Sequence, residues 1–134
     1  MKRYSPNSSI KKIKILRSAG GESFFAEIIK EPSRNISIEN LESALPEIST
    51  IVEKAWGKFP KKYLEGSIIH SHYLLLLRNE NDVLLGVAPI KKIHIDGRYV
   101  YSFGLTAVDP DHQGLGLMKR MHAILGRRVF LENL

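Results

Sequence analysis

Apolar positions along this chain alternate between the two-residue period of strands and the 3.6-residue period of helices. Ile10, Ile13, Ile15 and Leu16 mark a short strand, closed by the turn formers Ser18-Ala19-Gly20-Gly21. Ser23–Lys30 fits either a strand or a short helix, and Pro32, Ser33 and Asn35 read as a loop. Leu45, Ile48, Val52, Ala55, Trp56 and Phe59 then fall at helical spacing, with Glu47, Lys54 and Lys58 elsewhere on the wheel. Pro46 suits a first helical turn, which places the helix start at Ser43–Pro46; Gly57 and Pro60 end it. The stripe, Trp56 included, is expected to face a sheet, and Lys61–His70 reads as a second, short helix.

Strand texture follows. Tyr73-Leu74-Leu75-Leu76-Leu77 is a continuous apolar run, as in a strand covered on both faces. Arg78–Asp82 reads as a polar turn. Val83–Ile95 is the next strand, and Pro89 requires an edge or a bulge within it. Asp96-Gly97 signals a two-residue hairpin, and Arg98–Val108 forms a third strand with an irregularity at Gly104. Leu117, Met118, Met121, Ile124 and Leu125 make a final helical stripe opposite Lys119, Arg120 and Arg127; beyond it, Arg128–Leu131 extends the helix or forms one strand. The expected class is α+β in a single domain, 1–134, with a loose basic arm at 1–9.

Length and composition narrow the classes. The chain has 134 residues, 43% hydrophobic and 25% charged, which suits one folded domain with a real core. No apolar run approaches the ~18 residues of a membrane span, and the first residues lack the apolar core of a secretory signal. Cysteine is absent, which excludes disulfides, thiolate metal sites and cysteine nucleophiles and is compatible with a cytoplasmic location. Twenty basic against 14 acidic residues give +6, a balance that favours an anionic partner. A nucleic-acid-binding module led by the basic arm is the weaker reading of that charge, because no reader motif or interleaved exposed aromatics accompany it.

Candidate chemistry gathers in one stretch, Leu105 to Met118. A buried strand ends at Val108, Pro110 breaks the ladder, and a turn containing Gly114 and Gly116 opens directly into the last helix. Glycines there let a ligand approach the backbone closely, and a helix N-terminus with free N–H groups favours a pyrophosphate. Val108-Asp109-Pro110 and Gln113-Gly114-Leu115-Gly116-Leu117 resemble the signature of the GCN5-related N-acetyltransferase superfamily. Met118 stands where a small residue is usual. The resemblance is specific over 73–125, the cofactor-binding core.

The resemblance implies an acyl-CoA N-acyltransferase fold, a mixed sheet flanked by helices, and acetyl-CoA as co-substrate for direct attack by a small-molecule or protein amine. It implies that Thr106, Ala107 and Val108 bind the pantetheine arm through their backbone, and that Gln113, Gly114, Leu115, Gly116, Leu117, Met118 and Lys119 form the pyrophosphate loop. Some members carry a glutamate base six residues before the signature valine; Ser102 stands there, so no general base or acid is assigned. His70, His72, His94 and His112 titrate in a useful range without a recognisable partner, and His70 with His72 lacks a third ligand, so no metal site is assigned. His112 reads as loop structure, Tyr101 as packing, and Trp56, Phe59 and Tyr63 as core ahead of an acceptor cleft. The family fold continues beyond this last helix, so the resemblance implies that the C-terminal strands are missing. A second copy or a partner chain is then expected to cover the edge of the third strand, around Phe103 and Leu105, and turnover by this chain alone to be slow or nil. A non-catalytic acyl-CoA-binding domain completed by a partner is the alternative.

Overall fold

The computed structural model describes residues 11–17 and 21–134. The basic arm, the strand position Ile10 and the turn at Ser18–Gly20 lie outside the described residues. Strands β1 (Lys11–Arg17) and β2 (Ser23–Lys30) pair antiparallel, so Ser23–Lys30 is a strand. One helical turn, α1 (Pro32–Asn35), stands where the composition suggests a loop; Pro32 at its start presets the backbone angle. Helices α2 (Ile38–Trp56) and α3 (Lys61–Ile69) follow, then β3 (Tyr73–Asn79), β4 (Leu84–Ile95), β5 (Arg98–Phe103), β6 (Ala107–Val108), a 3-10 turn at Pro110–His112, and α4 (Leu117–Glu132). The C-terminal residues therefore extend the helix.

The sheet runs β1-β2-β3-β4-β5, with β6 also on β4, and every pair is antiparallel among the described residues, in place of the mixed sheet the resemblance implies. Helices cover both faces. On one side Leu41, Leu45, Ile48 and Val52 of α2 and Leu64 and Ile68 of α3 bury Ile29, Leu74, Leu76 and Val87. On the other, Leu117, Met121 and Leu125 of α4 bury Phe24, Ala26, Leu75, Leu77 and Val108. The alternation of Leu74 and Leu76 with Leu75 and Leu77 explains the unbroken apolar run, since both faces of β3 are interior.

Helix α2 begins two turns earlier than Pro46 suggests. Ser37 caps it, its hydroxyl accepting from the Asn40 N–H at 3.2 Å. Pro46 sits inside on the exposed side, and its missing hydrogen bond is outweighed by burial of Leu41, Ala44, Leu45 and Ile48. Arg78 is also misplaced by the sequence pattern. It lies within β3, which runs on to Asn79, rather than opening a turn; it is 2% exposed and meets Glu27 of β2 at 3.1 Å and Glu47 of α2 at 3.4 Å.

On its edge away from β3, strand β4 has two partners, and the third strand expected at Arg98–Val108 is split into them. Ile90–Ile95 pairs with β5, whereas Gly86 and Val87 pair with β6. The break falls at Pro89. Its carbonyl accepts from the Gly104 N–H at 2.9 Å, and on that same side proline has no N–H to return. A Cβ on Gly104 would stand 2.9 Å from Pro89 Cγ, so glycine is what the crossing admits. Asp96 and Gly97 both take positive φ, 49° and 77°, as the tight hairpin turn between β4 and β5 requires.

Candidate functional site

The split strand leads straight to the loop that the sequence singles out. The Asp109 N–H donates to the Leu85 carbonyl at 2.7 Å, which extends the β6–β4 ladder by one residue. Antiparallel alternation then turns the N–H and C=O of Ala107 toward β4 and those of Thr106 and Val108 toward the open side. The chain passes the 3-10 turn, Gly114 (φ 88°) and Gly116 (φ 72°), and enters α4. Gly116 occupies the N-cap position, and no side chain caps the helix. The first-turn N–H groups of Leu117, Met118 and Lys119 therefore lack helical partners. They border a groove of about 610 Å³ lined by Val108, His112, Gln113, Gly114, Gly116, Leu117, Met118, Lys119 and His122.

Seven of the ten residues expected at the site line this groove. Of the others, Thr106 stands at its strand end. Ala107 pairs with Val87 and buries its side chain under α2, while Leu115 is 40% exposed outside the groove lining. Leu117 is buried in the core beneath α4, so it offers the groove its backbone.

His112 is the pin of the loop. Its Nδ1 lies 2.8 Å from Asp109 Oδ2 and its Nε2 lies 3.0 Å from Glu22 Oε1 at the approach to β2. Burial pulls its pKa down, but the hydrogen bonds and charges of Asp109 and Glu22 outweigh burial and raise it above the ordinary value. A raised folded pKa adds stability that is full below the unfolded value, about 6.5, and is lost as pH rises through the folded one. His112→Asn is thus expected to destabilise the chain most near pH 6 and progressively less as pH rises; denaturant midpoints measured against pH check this.

Two side chains make contacts at the splay between β5 and β6 that have no counterpart in the sequence pattern. Trp56, expected in the core, is 58% exposed and donates its indole N–H to the Thr106 carbonyl at 2.9 Å. His122 of α4 places Nε2 2.8 Å from Thr106 Oγ1 and stacks on Phe103 with 4.1 Å between ring centres. Burial lowers the His122 pKa. Its place is legible only as the position four residues after Met118, on the shoulder of the buried stripe. Phe59 packs against the core, while Tyr63 is 61% exposed.

The far end of α4 is tied by Glu132. Its carboxylate meets His72 Nε2 at 2.8 Å and Lys30 Nζ at 3.1 Å and accepts from the Tyr73 hydroxyl at 3.0 Å. Burial opposes the charge, but the bonds from His72, Lys30 and Tyr73 prevail and hold the Glu132 pKa at about 2. Burial together with the bond to Glu132 pushes Tyr73 up to about 12. Tyr101 joins this cluster from β5 at 3.4 Å, so it both packs and bonds. His72 is thereby engaged with a carboxylate rather than with His70, which is exposed.

No family model and no curated protein matches the chain. Among solved structures, it is similar to one described as a unique GCN5-related glucosamine N-acetyltransferase region in the fungal multi-domain GH3 β-N-acetylglucosaminidase. The TM-score is 0.61 at 14% identity, and the match covers 83% of this chain and 13% of that chain. No helix among the described residues is long and apolar enough to cross a membrane. This likeness shows that the chain, an antiparallel sheet flanked by helices, has the fold of a GCN5-related N-acetyltransferase region.

Proposed function

We propose that this chain binds acetyl-CoA along β6 and the start of α4 and passes the acetyl group to an amine. The observation that carries the reading is the uncapped N-terminus of α4 opening on the groove between two positive-φ glycines. Nothing lies within 4 Å of where a Cβ on Gly114 or Gly116 would stand, so the backbone is open to close approach. The donor set fits a pyrophosphate: unpaired N–H groups, the positive end of a helix dipole, and Lys119 at the rim. The outward N–H groups of Thr106 and Val108 suit an extended amide-bearing arm, and one of them would polarise a thioester carbonyl. An amine is also the acceptor class of the similar region, whose description names glucosamine.

Gly116→Val is expected to weaken acetyl-CoA binding about tenfold or more, roughly 1.4 kcal/mol. The left-handed backbone disfavours a β-branched residue, and its methyl groups stand where the phosphates approach. A folded variant of unchanged affinity would place the phosphates elsewhere. Calorimetric titration with acetyl-CoA, followed by thiol release across a panel of amines, tests the whole reading. Saturable binding without thiol release would leave an acyl-CoA-binding domain.

A further inference from the structure

Direct transfer needs a group that holds the proton lost by the amine, and the groove lining contains no carboxylate. Ser102, exposed on β5, is not a base. We propose that His122 holds the proton in transit, acting through the Thr106 hydroxyl as a positioning residue; this rests on the acetyl-transfer reading above. The inner half of the relay is in place: Nε2 lies 2.8 Å from Thr106 Oγ1, the ring lies flat against Phe103, and with Nδ1 carrying the ring proton Nε2 accepts from a hydroxyl whose other contact is the Gly104 carbonyl at 3.4 Å. Thr106 is also the residue whose N–H faces the open side of the splay, so the hydroxyl and the N–H share one backbone position at the expected thioester.

The balance is simple. The bond between amine nitrogen and acetyl carbonyl carbon forms as the carbon–sulfur bond breaks. The nitrogen gives a proton to Thr106 Oγ1 while the hydroxyl's own proton passes to His122 Nε2. The imidazolium then returns a proton through the same hydroxyl to the departing sulfur, leaving a free thiol. Burial favours the neutral ring, the form a proton acceptor needs. From α4 it shares the groove with Lys119, whose charge opposes protonation, and from the loop with His112; the strand side presents Phe103, Thr106 and Val108.

The test reads His122 without relying on turnover. Its ring resonances, assigned by their loss in His122→Gln, are titrated by NMR with acetyl-CoA bound and then with coenzyme A bound. A free thiol can donate to Thr106 Oγ1, which then donates more strongly to the neutral ring, and a thioester cannot, so the midpoint should fall when coenzyme A replaces acetyl-CoA. Thr106→Val should abolish that difference, and Thr106→Ser should restore it. Alongside, His122→Gln is expected to lower thiol release about a hundredfold and to flatten its acid limb. Equal midpoints with both ligands, wild-type turnover in His122→Gln, or no thiol release by wild type holding acetyl-CoA would each overturn the proposal. Failure of either ligand to bind would instead overturn the acetyl-CoA reading itself. Should His122→Gln not fold, the ring is assigned by its proximity to the Phe103 ring and the two Thr106 variants carry the same comparison.

Discussion

Val52→Asp is expected to leave the chain without a cooperative melting transition. Val52 is fully buried where α2 meets the sheet, among Ile48, Leu74, Leu76 and Val87. A carboxylate there finds an apolar wall, and burying it costs several kcal/mol, or unfolds the helix from the sheet to avoid the cost. Domains of this size hold only about 5–15 kcal/mol in total. Glu53→Ala, one residue along on the exposed side, should leave the midpoint in place. Circular dichroism against temperature decides between them. A soluble Val52→Asp variant with the wild-type midpoint would mean that the stripe faces water.

Arg78→Ala is expected to cost about 3–5 kcal/mol, because it removes a guanidinium from beside a carboxylate that is itself buried. Glu27 is 1% exposed and lies 3.1 Å from Arg78, and Glu47 reaches the same guanidinium from α2. The Arg78 Nη1 also donates to the Asp82 carbonyl at 2.8 Å, so the β3–β4 turn loosens with it. Paired apolar replacement, Arg78→Met with Glu27→Leu, should recover most of the loss, since neither of the two fully buried charges then remains and Glu47 stands at the more exposed rim. Urea denaturation of the single and double variants measures the coupling. An Arg78→Ala variant within about 1 kcal/mol of wild type would show the pair to be solvated.

Local chemistry made much of this fold legible. The unbroken apolar run at Tyr73–Leu77 announced a strand with two covered faces, and Asp96-Gly97 announced a turn that needs two positive φ angles. The glycine-bearing loop and most of the last helical stripe read correctly for the same reason, since each depends on residues close in sequence: Leu117, Met121 and Leu125 are buried and Ile124 partly so, whereas Met118 is 39% exposed. What stayed hidden depends on residues far apart. Glu22 and His112 meet across 90 positions, His72 and Glu132 across 60, and Trp56 and Thr106 across 50. No periodicity marks such pairs. Pro46 misled because proline is a start signal by local rule, and only the burial of Leu41 and Ala44 overrides it. Arg78 misled because a charged residue after an apolar run reads as a turn until a buried partner on another strand is known. The split at Gly104 was half visible: Pro89 demanded an irregularity, but which strand would yield was decided by the approach of Pro89 to Gly104.

The central claim is that the groove at the start of α4 is an acetyl-CoA site, and calorimetric titration of the wild-type chain tests it most directly. The expected result is saturable heat at one acetyl-CoA per chain, with affinity falling as salt is added, because phosphate charge meets a helix N-terminus and Lys119. A cooperatively folded protein that gives no saturable heat with acetyl-CoA up to millimolar concentration would contradict it.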